Sequence, residues 1–413
     1  MAATGKADMD FEHSPRTSEY VERVGSFMRE EIDPREEAHV RELLGSEAVW
    51  QVSPLVEELK GKARAAGLWN LFLPDETHGA GLTNVEYAPL AELMGRSHIA
   101  AEVFNCNAPD TGNMEVLLHS GSEQQRERWL APLLDGEIRS AFCMTEPDVA
   151  SSDATNMQAT ALLDGDEIVL DGVKWWSTNA GHPRCELMIF MGVTDASAHR
   201  YAQHSMVLVP RDTPGVSVER MLPVMGFHDA PSGHGQVRFD KVRLPLSAVI
   251  GAPGQAFAIA QSRLGPGRVH HCMRLIGLAE LALELTCRRA MSRTAFGKPL
   301  ANLGGNRERI AQARAAIDQA RLLVLNAAWL LDVKGLEGAL GAVSQIKFVV
   351  PAMAQEVIEM AIQIHGGAGL SNDLPLAGAW AIARSLRLAD GPDEVHRGVV
   401  ARLELARYKG APA

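Results

Sequence analysis

Four short segments combine residue types that can hold or transform a flat, polar ligand. The first, residues 142–153, reads F-C-M-T-E-P-D-V-A-S-S-D. Small hydroxyl residues around a proline turn can offer backbone N–H groups and hydroxyls to the polar edge of a ring system. The second is Trp175-Trp176-Ser177-Thr178-Asn179. Adjacent residues of a strand face opposite sides, so one tryptophan can pack inward while the other stacks on a ring. The third, Gln363-Ile364-His365-Gly366-Gly367, places two glycines where a backbone can approach a ligand closely. The fourth is Ala389-Asp390-Gly391-Pro392-Asp393-Glu394, a carboxylate followed by Gly-Pro at a chain break, where it could face a ligand. Each segment alone also fits a plain role: a domain-boundary turn, two packing tryptophans, a helix C-cap and a surface acidic loop.

Other chemistries lack their signatures. No G-x-G-x-x-G follows a strand, and there is no P-loop, H-E-x-x-H or G-x-S-x-G. The 14 histidines show no metal-ligand spacing, and the adjacent His270 and His271 read as a polar helix face, so no metal is expected. The five cysteines are scattered, without a C-x-x-C pair, which reads as reduced thiols in a cytoplasmic protein. The net charge of −11 disfavours nucleic acid as the main partner. The first residues, Met1 to Ser14, lack an apolar core and are acidic, unlike a signal or transit peptide. No apolar run is long enough to span a bilayer, so no membrane partner is expected.

The elements that must position these segments change period along the chain. With 413 residues, two or three domains are expected. The pattern is helical from about Ser14 to Leu133, with Ser14-Pro15 and Ser53-Pro54 as helix starts and Thr83 as a cap. From about Ser140 to Ile250 it is strand-like: Asp164-Gly165 marks a hairpin and five prolines separate short strands, suggesting a β-sandwich or barrel. From Gln255 onward, long Ala/Leu/Arg-rich helices fit a bundle.

In this order and spacing the segments resemble the acyl-CoA dehydrogenase family over nearly the whole chain. Met144-Thr145-Glu146-Pro147 with Ser152-Asp153 is similar to the family's T-E-P…S-D flavin motif. Trp176 to Asn179 resembles its W-I-T-N, Arg293 to Pro299 its R-x-x-F-G-K-P, and Gln363 to Gly367 its Q-x-x-G-G turn. The spelling T-E-P-x-V-A-S-S-D-A-T-N is similar to the branch called family members 10 and 11.

The resemblance implies an α+β multidomain fold: an N-terminal all-α domain (1–139), a middle β-barrel (140–252) and a C-terminal four-helix bundle (253–413). It implies FAD between barrel and bundle, also touched by a neighbouring subunit, hence a homodimer or homotetramer. Flavin contacts carried over are Phe142, Met144, Thr145, Ser151 and Ser152, with Trp176, Ser177 and Thr178 on the same isoalloxazine side. Arg293 and Phe296, the former toward the diphosphate, Gln363, His365, Gly366 and Gly367 toward a partner's FAD, and Pro392 and Glu394 complete that set. Ser152, Gly265, Gly267, Arg268 and Gly391 match acyl-CoA contacts.

The implied activity is α,β-dehydrogenation of an acyl-CoA thioester to a trans-2-enoyl-CoA, as in fatty acid β-oxidation. The α-proton goes to a protein base and a hydride to flavin N5, with an electron-transfer flavoprotein as acceptor. Asp390 stands where the family usually has a catalytic Glu, shorter by about 1.5 Å. Some relatives carry the base at the position of Gly267, which cannot serve. Gly304 replaces a Gln that contacts FAD in many relatives. Two alternatives share the fold. A nitroalkane oxidase-like enzyme also uses Asp as its base. A flavin-containing DNA-binding protein of the alkylation-response type would use bundle arginines such as Arg274, Arg288 and Arg314, against the acidic total.

Overall fold

The computed structural model describes residues 12–45 and 49–409, with backbone alone for 44, 45 and 262–264. Residues 1–11, most of the stretch read for a leader, lie outside them. N-terminal helices, a middle sheet and C-terminal helices follow in order. The helices are α1 (Pro15–Phe27), α2 (Asp33–Gly45), α3 (Pro54–Ala65), α4 (Asn84–Met94), α5 (Ala100–Val103), α6 (Asp110–Ser120), α7 (Glu123–Gln125) and α8 (Ala131–Leu134). The strands are β1 (Arg139–Cys143), β2 (Thr160–Asp164), β3 (Glu167–Thr178), β4 (Cys185–Val193), β5 (His204–Pro210), β6 (Val216–Leu222) and β7 (His234–Pro245). Then come α9 (Ala256–Ser292), the hairpin β8 (Thr294–Ala295) and β9 (Lys298–Pro299), α10 (Asn306–His365), α11 (Gly367–Leu370), α12 (Leu376–Ser385) and α13 (Asp393–Ala406).

Local chemistry starts these helices where the sequence signals them. Ser14 and Ser53 accept the N–H groups of Thr17 and Val56, each followed by Pro at the first helical position. Thr83 and Glu86 form a reciprocal capping box on α4. The described residues fall into two compact units, one within Met1–Ala38, Pro74–Ala101 and Arg268–Ala413, the other within His39–Leu73 and Glu102–Gly267.

The second unit is built on the sheet. Its pairing order is β1-β4-β2-β3-β7-β6, with β5 added to β4. The Asp164-Gly165 signal is a two-residue hairpin loop: Asp164 pairs with Glu167 and Gly165 has φ 61°. One core of Ala141, Ile168, Leu170, Met188, Phe190, Val207, Val237 and Phe239 fills the sheet's inner face. Phe190 and Phe239 meet edge to face at 4.7 Å.

Beside that core lies a buried ion network. Arg139 pairs with Glu102 and sits 3.7 Å from Asp110, while Lys60 reaches Glu102 at 2.7 Å. Burial pushes the Glu102 carboxyl up, but Arg139 and Lys60 outweigh it and hold its pKa down to about 2. Asp110 is pushed up to about 6 by burial, against the pull of Arg139 and Ser140. It accepts the Ser140 N–H (2.7 Å) and the Asn179 amide (3.0 Å), tying α6 to β1 and to the end of β3.

The first unit packs α4 against α9 and α10. His270 is buried on α9, its ring 4.9 Å from Tyr87 of α4 in an edge-on contact. This corrects the expected solvated face: His270 is packing, and its neighbour points elsewhere. α10 is broken at Gly335, whose backbone is non-helical (φ 64°, ψ −175°). Among the described residues no helix is long and apolar enough to cross a membrane, and no acid, His or Cys group could hold a metal ion.

Three histidines that are costly to protonate in the fold shape the expected response to acid. Burial lowers the pKa of His182 to about 4, of His270 to about 3 and of His396 to about 4. Each folded value is below the unfolded one near 6.5. The unfolded chain therefore binds more protons as pH falls from 6.5 to about 4, and stability is lost over that window. Asp110, with its raised value, opposes one of the three between about pH 6 and 4. The thermal midpoint should fall across this range, and less steeply in His270→Phe, which keeps the edge-on contact. An unchanged slope in that variant would refute the assignment.

Candidate functional site

In the sheet unit, the predicted flavin-side residues converge on one end of β1 and β3. Phe142, Met144 and Thr145 run off β1, half-buried. The loop folds back on itself: Ser151 Oγ accepts the Glu146 N–H at 3.0 Å, and Ser152 is exposed. Glu146, inside the T-E-P motif, is not a ligand-facing residue. It is buried, accepts the N–H groups of Gln158 (2.8 Å) and Ala159 (3.1 Å), and pairs with Lys174 Nζ at 2.7 Å. Lys174 also donates to the Met144 carbonyl (3.1 Å), and the Trp175 N–H donates to the Thr145 carbonyl (2.7 Å). The loop is thereby fastened to β3.

The two tryptophans do not alternate as a regular strand requires. The register of β3 against β7 shifts between Lys174 and Ser177. Trp176 takes φ 56°, a costly conformation for a bulky residue. Both rings come to the same neighbourhood, with centroids 5.5 Å apart. Trp176 remains 38% exposed, while Trp175 Nε1 is buried without a partner. Thr178 Oγ1 is 2.9 Å from His234 Nδ1, and Ser177 is buried beside the Cys143 thiol. A large ring held out at strained backbone geometry is what a stacking platform needs.

In the helical unit, a shallow, open hollow of about 320 Å³ is lined by Leu285, Arg288, Arg289, Ser292, His365, Ala368, Asp373 and Leu374. The Arg289 Nε is buried without a partner. Gly366, between α10 and α11, has φ 63°, ψ −135°, open to glycine but strained for other residues. His365 Nδ1 lies 2.8 Å from the Ala361 carbonyl, so its ring is tied to its own helix; Gln363, Gly366 and Gly367 are exposed. Arg293 and Phe296 sit at the β8–β9 hairpin, with Phe296 95% exposed at φ 51°. Gly304 has φ 54° with open space where a side chain would stand. Guanidinium groups over an apolar floor, plus approachable backbone, suit a nucleotide diphosphate. Taken separately, the sheet unit offers a ring platform and hydroxyls, and the helical unit offers guanidinium groups and open backbone, donor types that fit a flavin and a diphosphate.

Asp390 has the most elaborate setting. It follows α12 at φ 56°, and Gly391 follows at φ 105°. Gly391 is required twice over, because a Cβ there would meet His396 Nε2 at 2.8 Å. Lys347, buried on α10, donates to the Leu386 (2.6 Å) and Ala389 (2.8 Å) carbonyls that end α12. Arg268 Nε donates to the Asp390 carbonyl (3.0 Å), and His396 Nε2 lies 3.2 Å from the same oxygen. On the far side, Arg387 donates twice to Asp393 Oδ2, at 2.9 and 2.7 Å, anchoring the start of α13. His271 Nε2 is 3.5 Å from the Asp390 carboxylate. Burial lowers the Lys347 and Arg268 pKa values, with Asp390 pulling both back up.

Of the residues matched to acyl-CoA contacts, the structure therefore places Arg268 and Gly391 at Asp390. Gly265 and Gly267 lie within α9, and Glu394 is exposed on α13. Reading the sequence alone missed Lys347, His271, His396 and the Glu146–Lys174 pair. Lys347 left a signal, a lone cation among the apolar residues Ile346, Phe348, Val349 and Val350.

Comparison with known proteins agrees over the whole length. Family models for the N-terminal, middle and C-terminal domains of acyl-CoA dehydrogenases match residues 14–137, 141–242 and 254–405. Mouse acyl-CoA dehydrogenase family member 10 is 54% identical over 95% of this chain, and the chain spans 37% of that protein. It spans about half of the family member 11 proteins, 51% of the chicken one at 50% identity. Mycobacterium tuberculosis FadE2, named a probable acyl-CoA dehydrogenase, is 51% identical, with 97% of this chain and 98% of that protein covered. A solved chain from Mycobacterium abscessus, named as a candidate acyl-CoA dehydrogenase, is 68% identical with a TM-score of 0.94, covering 96% of this chain and all of that one. The chain belongs to the acyl-CoA dehydrogenase family, a family of flavin-dependent oxidoreductases.

Proposed function

We propose that this chain is an FAD-dependent acyl-CoA dehydrogenase in which Asp390 removes the α-proton of an acyl-CoA thioester. The observation that carries the reading is the cradle at Asp390: a carboxylate on a turn pinned by Arg268, Lys347 and His396 through backbone carbonyls. Those bonds fix the main chain and leave the carboxylate to work as a base. A group held this way costs little reorganisation when the substrate arrives.

FAD, when bound, supplies the two-electron acceptor for the hydride leaving the β-carbon. Phe142, Met144, Thr145, Ser151 and Ser152, with Trp176, Ser177 and Thr178, would hold its ring side. Arg293, Phe296, Pro392, Glu394 and the turn Gln363, His365, Gly366 and Gly367 would hold the rest. Ser152, Gly265, Gly267, Arg268 and Gly391 would meet the acyl-CoA. Asp390 ends the step as a carboxylic acid, the C–H electrons having moved into the new Cα=Cβ bond. Electrons would pass on to an electron-transfer flavoprotein, and the setting would be cytoplasmic.

A neighbouring subunit is part of this reading. Met291, Phe296 and Leu370 are 72%, 95% and 75% exposed in the single chain, an unusual display of large apolar side chains. Phe296→Ala should leave the fold intact yet reduce both subunit assembly and FAD retention, read by size exclusion and flavin-to-protein ratio. Unchanged assembly and flavin content would count against a subunit contact there. The activity itself is tested by binding: the reading expects CoA thioesters to perturb the bound flavin's spectrum, whereas a nitroalkane oxidase would respond to nitroalkanes and ignore CoA.

A further inference from the structure

Three residues beyond Arg268 on α9, His271 turns the same helix face toward the side chain of Asp390. Its Nε2 is 3.5 Å from Asp390 Oδ2, within ion-pair reach of the carboxylate. Its other nitrogen, Nδ1, is 3.1 Å from Arg274 Nη2. A guanidinium can only donate, so Nδ1 must present its lone pair. The proton of the neutral ring is then on Nε2, the nitrogen nearer the Asp390 carboxylate. Arg268 meanwhile binds the carbonyl of the same residue. One face of α9 therefore addresses both the main chain and the carboxylate of Asp390.

The other charged and titratable groups around Asp390 are engaged differently. From α10, Lys347 donates to the Leu386 and Ala389 carbonyls. From α13, His396 faces the Asp390 carbonyl and Asp393 is held by Arg387. Cys272 of α9 and Arg268 also feel the Asp390 charge. A shorter base needs this extra direction. An Asp has one fewer methylene than a Glu, so its carboxylate cannot be re-aimed by its own torsions over the same range.

Resting on the reading of Asp390 as the base, we propose that His271 is a positioning residue that aims the Asp390 carboxylate through an Nε2–H donor, with Arg274 fixing the tautomer. His271 keeps its proton throughout. The substrate's α-proton ends on Asp390, and the donated hydrogen bond selects which carboxylate oxygen is free to take it. The donor also favours the charged carboxylate, keeping the base active at lower pH.

The test uses the flavin-loaded enzyme, an acyl-CoA that bleaches it anaerobically, and stopped-flow spectra across pH. His271→Ala should slow bleaching by about 10- to 100-fold, the scale of a small misplacement. It should also move the acid limb of the rate profile to higher pH, with enoyl-CoA affinity and flavin content kept. His271→Gln, which retains an N–H donor at a similar reach, should restore the limb and most of the rate; Arg274→Met should produce a smaller loss of the same kind. Wild-type rate and limb in His271→Ala would overturn the proposal, as would a slow variant whose limb has not moved. Because Asp390→Asn is run beside them, failure is assignable. An inactive Asp390→Asn with an unaffected His271→Ala removes His271 alone, whereas an active Asp390→Asn removes the base reading itself.

Discussion

Asp390→Asn is expected to leave the bound flavin oxidised when acyl-CoA is added without oxygen, slowing reduction by about 10²- to 10⁴-fold. The amide is nearly isosteric but cannot accept the α-proton, and general-base removal is worth about 10²- to 10⁴-fold. The turn should survive the change. Arg268 and His396 engage the carbonyl of residue 390 and Lys347 holds the two carbonyls before it, so none of these contacts uses the carboxylate. Flavin content and product affinity should therefore match the wild type, isolating the loss to proton removal. Asp390→Glu gives the sharper comparison. It keeps a carboxylate but adds a methylene, pushing the oxygens about 1.5 Å further along a turn built around Asp. A loss of about 10²-fold is expected. An Asp390→Asn rate within tenfold of the wild type would mean that another group is the base.

The largest stability effect is expected at Lys174→Met. Lys174 is fully buried, its ammonium 2.7 Å from Glu146 and 4.9 Å from the Phe190 ring. Burial lowers its pKa and Glu146 draws it back up. Removing the cation leaves Glu146 buried with two backbone N–H donors and no counter-charge. Breaking a buried pair in this way costs about 3–5 kcal/mol. Denaturant unfolding should show that loss, and flavin retention should fall with it, because Lys174 also holds the Met144 carbonyl. The double variant Lys174→Met with Glu146→Gln should recover much of the loss, since a neutral amide is far cheaper to bury than an unpaired charge. A single-variant loss under about 1 kcal/mol would show that Glu146 is satisfied by its N–H donors alone.

What the sequence made legible was local. Ser14, Ser53 and Thr83 announce helix starts because a cap needs only three or four residues of context, and Asp164-Gly165 announces its hairpin for the same reason. Asp390 stood out through its Gly-Pro break and the resemblance around it, and its role as base is the proposal that Asp390→Asn tests. The tryptophan pair shows the limit. Alternation predicts opposite faces, but the register shift of β3 against β7 and the positive φ of Trp176 bring the rings together, and register belongs to two strands at once. His271 and Lys347 were hidden for a similar reason. Their roles depend on α9 and α10 converging on one turn, which no periodicity in either helix encodes. Glu146 lies in the motif matched to flavin binding, and its carboxylate is spent on the fold, on two backbone N–H groups and Lys174.

The central claim is tested most directly by the visible spectrum of the purified protein, recorded anaerobically while acyl-CoAs of increasing chain length are added. The account predicts bound oxidised flavin that at least one acyl-CoA bleaches, with trans-2-enoyl-CoA formed in step. Protein that binds no flavin, or a flavin that nitroalkanes bleach and no acyl-CoA does, would contradict it.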